Sequence, residues 1–417
     1  MKVALIGFNC EEIETIDANL LVSGDNAVSS SQCSSETRET VLSVFSKNTD
    51  LMAPTPRKTP LHDRHVELGA RMVDFAGWEM PVYYVGINEE HRAVRARAGL
   101  FDVSHMGQFE ITGTGAEGLL RKALASDIDR LDDGQAQYSF LLNAKGGIID
   151  DLIVYKLPNK VWLLVVNAGN IAVDLAHLKS FKHRAATITD VSDATAMIAL
   201  QGPVAMELLA DIWPKKTPAP ETGKPFTIVE RVVAGVPSRV AYTGYTGEPG
   251  VEIMCAADRA GDLWDGILAR REHGVVPSGF GARDTLRLEM GYPLHGHDIS
   301  QKTTPIEASL GRFVHLGREF MGSAVLDKQA AKGVKRRLVG LKVVDRAIPR
   351  EGYPILSGSE KIGSITSGTL SPSIDRGIGL GYVPEMFAKP GTVLQIDIRG
   401  RLRDAEVVKL PFYKKEA

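Results

Sequence analysis

Tyr138-Ser-Phe-Leu-Leu-Asn143-Ala-Lys-Gly146-Gly147-Ile-Ile-Asp150-Asp151-Leu-Ile-Val-Tyr155 is the stretch on which the fold turns. Tyr138 to Asn143 is rich in β-forming residues, and Gly146-Gly147 supplies the positive φ angles of a tight hairpin loop. Ile148 to Leu157 reads as a second strand. Val161 to Val166, after Pro158-Asn159-Lys160, reads as a third. The middle strand is apolar on both faces, with Ile149, Ile153 and Tyr155 on one and Ile148, Leu152 and Val154 on the other. A strand of that kind is covered on both sides. Two adjacent carboxylates, Asp150 and Asp151, sit in it, one per face. Either they lie at the wet end of the strand beside the turn, or one is a partly buried functional group, because an unpaired buried charge is costly. Alternation alone does not choose between the two aspartates.

The rest of the composition narrows the class. A chain of 417 residues holds about two to four domains. Hydrophobic residues at 44% and charged residues at 24% are ordinary for a soluble globular protein. The net charge of −2 implies no general attraction to nucleic acid or to an anionic membrane. Cys10, Cys33 and Cys255 show no pairing or metal spacing, which fits a reducing compartment. No apolar run approaches the roughly 18 residues of a membrane span.

Residues 1–53 stand apart. Three basic residues face eight acidic ones, a net −5, and Ser29, Ser30, Ser31, Ser34 and Ser35 cluster in the middle. Such a segment is expected to be a flexible N-terminal extension. It carries no recognisable secretion signal, and it is too acidic for a mitochondrial presequence.

The punctuated run Ala53 to Pro60 opens the main body. Helices are expected at His62 to Leu68, Ile87 to Ala98 (ended by Gly99), Gly115 to Leu124, Asn170 to Lys182, Val204 to Ile212, Arg259 to Glu272 and Thr285 to Met290. Gly69 to Tyr84 reads as one sharply bent strand; Asp74, Trp78 and Asp102 either serve function or, as expected, hold this bend and the turn that follows Phe101 in place. From about residue 331 short strands follow at close spacing with Gly and Pro between them, the pattern of a small all-β barrel. The fold class is therefore α+β with a C-terminal all-β barrel-like domain. Gly377-x-Gly379-x-Gly381 lacks the spacing and the following helix of a dinucleotide fingerprint, and reads as strand glycines.

Several stretches together resemble the aminomethyltransferase family, the T-protein of the glycine cleavage system. They are Thr59-Pro-Leu with Gly69 to Pro81, Phe101-Asp-Val-Ser-His-Met-Gly107, Gly146 to Tyr155, Val165-Val-Asn167-Ala, Thr243-Gly-Tyr-Thr-Gly-Glu248 and Gly281-Ala-Arg-Asp-Thr-Leu-Arg-Leu-Glu289. Ile365 to Pro372 and Pro411-Phe-Tyr413 extend the likeness, which runs from about Thr59 to Tyr413. The resemblance implies a folate-binding region of two intertwined subdomains around a central cavity over residues 54–330, and a barrel over 331–417. It implies tetrahydrofolate as co-substrate and lipoylated H-protein as partner, with 5,10-methylenetetrahydrofolate and ammonia as products. It selects Asp151 over Asp150 as the catalytic residue. It places Met106, Tyr138, Asn167, Tyr245, Glu252, Arg283 and Tyr292 around the folate. A cytoplasmic location is expected if the source is bacterial.

The residue types suit that ligand. A carboxylate such as Glu252 can accept paired pterin donors, and the Arg283 guanidinium suits anionic or π-rich groups. Arg283 has a purely structural alternative, as ion-pair partner of Asp284 or Glu289. Where the family often reads Leu-Tyr-Gly-Gln, this chain has Leu294-His295-Gly296-His297. His295, His297 and Asp298 alone offer too few partners for a metal, and none is expected. Two other functions remain compatible with the residues: another folate-dependent one-carbon transferase or demethylase, and a non-enzymatic folate-binding protein.

Overall fold

The computed structural model describes residues 55–415, apart from 182, 221 and 222. The expectations for residues 1–53 lie outside the described residues.

The anticipated meander is the heart of a five-stranded antiparallel sheet. Its order is Gln135–Leu142, Ile148–Leu157, Val161–Val166, Gly107–Thr112 and Thr187–Asp190. Phe140 lies opposite Asp151 and Tyr138 opposite Ile153. The register shifts between Leu141 and Leu142, so Ile148 rather than Ile149 faces Leu142. This bulge resets the alternation. Ile149 joins Leu152 and Val154 in one core, away from Ile153 and Tyr155 with which strict alternation groups it. In the loop only Gly146 takes a positive φ, +76°. Gly147 serves a close approach instead, since a Cβ there would sit 1.9 Å from the Gln301 carbonyl oxygen.

A second, six-stranded sheet runs Ile228–Val233, Val236–Ala241, Gly250–Ala256, Thr195–Gln201, Ala98–Asp102, Val275–Pro277. The two sheets pack face to face. Tyr155, Leu163 and Val165 of the first share a buried cluster with Phe101, Met197, Ala199, Ala241 and Met254 of the second. Helices cover both outer faces. Ala116–Ala123 and Ile171–Ser180 pack on the first sheet, and Ala205–Asp211 and Ala260–Leu268 on the second. The strand Ile148–Leu157 is thus covered on both sides, as its composition requires.

Three local expectations change. Gly69 to Tyr84 is a hairpin, Arg71–Phe75 and Trp78–Tyr83, turned at Ala76 and Gly77 with φ +53° and +80°. Asp74 Oδ1 accepts from Gly77 N at 2.9 Å and steadies that turn. Gly99 does not end a helix; Ile87–Ala96 stops earlier, and Gly99 lies in the buried strand Ala98–Asp102, where a Cβ would meet Val94 at 2.4 Å. The helix expected from Thr285 begins at Phe280, which puts Arg283 in its first turn. Gly281 is tolerated there because a Cβ would press on Ile87 at 2.8 Å, and close packing outweighs glycine's poor helix propensity.

Arg336–Val343, Pro354–Ser357, Glu360–Ser371, Arg376–Pro384, Val393–Ile398 and Arg401–Val408 close into a barrel. Gly377, Gly379 and Gly381 are strand glycines within it. The helix Phe280–Glu289 fastens the barrel to the sheets. Arg287 pairs with Asp298 at 2.8 Å and donates to Ser367 at 3.0 Å. The buried Glu289 accepts from Arg95, Ser371 and Ser373.

Candidate functional site

Asp151 projects from the inter-sheet face of its strand, in phase with Ile153 and Tyr155. Tyr138, on the neighbouring strand, donates its hydroxyl to Asp151 Oδ2 at 2.8 Å. Asn167, at the end of the third strand, donates its amide to Asp151 Oδ1 at 2.9 Å. Burial and the charge of Asp150 push the Asp151 carboxyl up to about 6, against the lowering effect of the Tyr138 bond. At neutral pH Asp151 is therefore mostly ionised, yet close enough to its pKa to exchange a proton.

The second sheet and the helix contribute the other expected residues. Glu252 faces the same inter-sheet layer as its partners Ala199 and Ala241, and Thr243 donates its hydroxyl to it. Arg283 places its guanidinium 4.7 Å from the Tyr245 ring centroid, and Tyr292 stacks on Tyr245 at 5.7 Å. Tyr245 donates to the Pro293 carbonyl. Met106, like Ile153, packs against the inter-sheet cluster that contains Ala282. Tyr155, in phase with Asp151 on the inter-sheet face, bonds the Thr243 hydroxyl at 3.2 Å, and Thr243 in turn bonds Glu252, which links the two sheets at this level.

The structural alternative for Arg283 finds other occupants. Asp284 pairs with Arg287 at 2.7 Å, and Glu289 with Arg95 at 2.9 Å. Among the described residues Arg283 forms no salt bridge; burial pulls its pKa down, while Glu252 and Tyr245 oppose that. Asp102 holds its turn as expected, accepting from Ser104 N and bonding His65, each at 2.9 Å.

His295, His297 and Asp298 go separate ways. His297 bonds Glu351 at 2.8 Å, Asp298 bonds Arg287, and His295 Nδ1 meets Asn170 Nδ2 at 3.0 Å. Asn170 also donates to Asp150 Oδ1 at 2.6 Å. That bond orients the amide, so His295 Nδ1 accepts and Nε2 carries the hydrogen, buried and, among the described residues, without a partner. Elsewhere, ligand atoms of Asp211, Glu272 and His273 lie within 4.8 Å of one another, but His273 already bonds Asp211 at 2.7 Å, an ordinary surface pair.

Sequence reasoning missed Asp150, Asn170, Asp174 and His295 as parts of this network. Asn167, Asn170, Asp174 and His177 follow at spacings of three, four and three, a polar stripe along the helix entrance. That stripe was the available signal, since one helix face brings such positions together.

Comparison with known proteins adds a decisive observation. Residues 61–318 match the model of the GCVT N-terminal domain, and residues 336–414 that of the glycine cleavage T-protein C-terminal barrel domain. The chain belongs to the glycine cleavage T-protein family. The aminomethyltransferase of Anoxybacillus flavithermus is 44% identical over 363 residues, covering 86% of this chain and 99% of its own length. That of Moorella thermoacetica is 45% identical over 362 residues, covering 86% and 98%. The crystal structure of the glycine cleavage system aminomethyltransferase T from Bartonella henselae superposes with a TM-score of 0.80 at 36% identity, covering 86% of this chain and 98% of that one. The T-protein match runs through both sheets and the barrel, and so through every element that supplies the site.

Proposed function

We propose that this protein transfers the aminomethyl-derived carbon from lipoylated H-protein to tetrahydrofolate at the Asp151 site. Its activity is that of its family, folate-dependent aminomethyl transfer in glycine cleavage. The observation that carries the site assignment is the placement of Asp151, bonded by Tyr138 and Asn167, on the inter-sheet face where Tyr155 bonds Thr243 and Thr243 bonds Glu252.

The donor set suits tetrahydrofolate. Glu252 is a buried acceptor for the pterin's paired donors. Tyr245, Tyr292 and Arg283 offer stacking faces and a cation for flat and anionic parts. Met106 adds an apolar wall. In the overall reaction the carbon leaves the lipoyl sulfur and the amine and becomes bonded to two folate nitrogens; of the two protons those nitrogens lose, one goes to the thiolate and one to departing ammonia. Asp151 is ionised at neutral pH, accepts a hydrogen bond or a proton from a folate nitrogen, and stabilises positive charge on the carbon. Tyr138 and Asn167 fix the direction in which its oxygens point.

We assign residues 54–330 to two intertwined folate-binding subdomains and 331–417 to a separate barrel domain. No described helix is long and apolar enough to cross a membrane. If the source is bacterial, we place the reaction in the cytoplasm, and we assign it neither nucleic acid nor membrane as partner and no metal.

Incubation with aminomethyl-loaded H-protein and tetrahydrofolate should yield methylenetetrahydrofolate. Tetrahydrofolate alone should raise the melting temperature, with about 2.7 kcal/mol of stabilisation at 100 times its dissociation constant, and a chelator should leave the shift intact. Product from a free methylated amine but none from loaded H-protein would transfer the assignment to a demethylase. Absence of any anaerobic shift would overturn the folate reading.

A further inference from the structure

The outer face of the strand Ile148–Leu157 holds a second acid pair. Asp150 and Asp174 are both 0% exposed. Asp174 lies in the first turn of the helix Ile171–Ser180, which packs over that face. Donors are shared unequally between the two. Asp150 receives Asn167 N at 2.9 Å, Asn167 Nδ2 at 2.9 Å and Asn170 Nδ2 at 2.6 Å. Among the described residues neither carboxyl oxygen of Asp174 has a hydrogen-bond partner, and Asn170, one helical turn before it at the cap of the same helix, donates to Asp150, which places Asp174 over the Asp150 face of the strand.

Two ionised carboxylates cannot persist side by side in a buried site. The negative charge settles where the hydrogen-bond donors are, and the proton goes to the acid that has none. We propose that Asp174 is a carboxylic acid that keeps its proton at neutral pH, donates it as a hydrogen bond to Asp150, and so acts as a positioning residue for Asp151. The line of action is short. Asp174 holds Asp150 as an oriented anion, Asp150 holds Asn167 at two points, and Asn167 holds Asp151. Burial first, and then the charge and bond of Asp150, push the Asp174 carboxyl up to about 10, in keeping with this geometry.

The charged and titratable groups around Asp174 are Asp150 and Asp151 on the strand, His177 on its own helix, and His295 beyond Asn170. Burial draws the His177 pKa down, away from the charged form. Both neighbours that act on Asp174 are acidic, and both favour its proton.

The catalytic consequence rests on Asp151 as the reacting carboxylate, whereas the proton on Asp174 does not. Two readouts separate them. Infrared spectroscopy of the full chain at about pH 8, where Asp151 is ionised, should show the carbonyl stretch of a protonated carboxylic acid. The band should vanish in Asp174→Asn and remain in Asp151→Asn. Asp174→Asn keeps an N–H donor toward Asp150, so its turnover should stay within about three-fold of the parent. Asp174→Leu removes the donor, and kcat should fall at least about ten-fold with folate affinity little changed. Absence of the band, or its persistence in Asp174→Asn, would overturn the protonation. Asn as damaging as Leu, or Leu losing stability alone while kcat holds, would overturn the positioning role.

Discussion

Asp150 holds Asn167 at two points: its Oδ2 accepts the backbone N–H and its Oδ1 the side-chain amide, each at 2.9 Å. The same amide donates to Asp151 Oδ1. The two aspartates do lie on opposite faces of one strand, yet Asn167 wraps the strand's edge and joins them. Asp150 is therefore part of the support of Asp151.

Asp150→Asn should accordingly do more than alter stability. It weakens three hydrogen bonds to a buried acceptor, which costs about 1–3 kcal/mol. It also removes a charge that raises the Asp151 pKa, so the acid limb of the pH–rate profile should move below about 6. Denaturation and a pH profile on the same variant measure both effects.

The parent enzyme should lose activity as pH falls through about 6, when Asp151 takes up its proton. Stability should run the other way. The folded-state pKa is raised from 3.8 to about 6, so the native protein binds this proton more tightly than the unfolded chain does. This group's contribution is full below the unfolded value and is lost as pH rises through that window. Denaturation midpoints taken on either side of the window should fall less in Asp151→Asn than in the parent, because Asp174, whose pKa is also raised, contributes to the loss in both.

Arg283→Lys should bind folate poorly while folding normally. Lysine keeps the charge but loses the planar fork that lies over Tyr245. A folate titration set beside chemical denaturation reads the two effects separately; a loss of stability with unchanged folate affinity would return Arg283 to a structural role.

Glu289→Ala should cost about 3–5 kcal/mol, because Arg95 and His91 would lose a buried carboxylate between the sheets and the barrel. Although burial alone would raise its pKa, bonds from His91 and Ser371 and the Arg95 charge hold it down at about 2. Its stabilisation is present above the ordinary carboxylate value of 4.5 and is lost as pH falls toward about 2, so the variant should also lack that acid transition.

Much of this architecture was legible because its signals are local. The strands around Gly146-Gly147, the helix expected at Gly115 to Leu124 and found at Ala116–Ala123, and the closely spaced strands after residue 331 all follow from periodicity and turn residues. The bulge at Leu141 was not legible, since one extra residue in a ladder shows only when the partner strand is in place. Nor was the early start of the helix at Phe280, where packing against Ile87 overrides the glycine. The expected site residues came from family likeness, because their sharing of one site depends on two sheets meeting. Asp174 escaped notice for the opposite reason: an aspartate in the first turn of a helix is an ordinary solvated residue until the strand behind it supplies a second carboxylate.

The most direct test is turnover of Asp151→Asn with loaded H-protein and saturating tetrahydrofolate. The change is nearly isosteric and removes the charge alone. Turnover should fall by at least about 100-fold, with folding unchanged or improved because a poorly solvated charge is gone. Turnover within a few-fold of the parent in a correctly folded Asp151→Asn protein would contradict the assignment of the chemistry to Asp151.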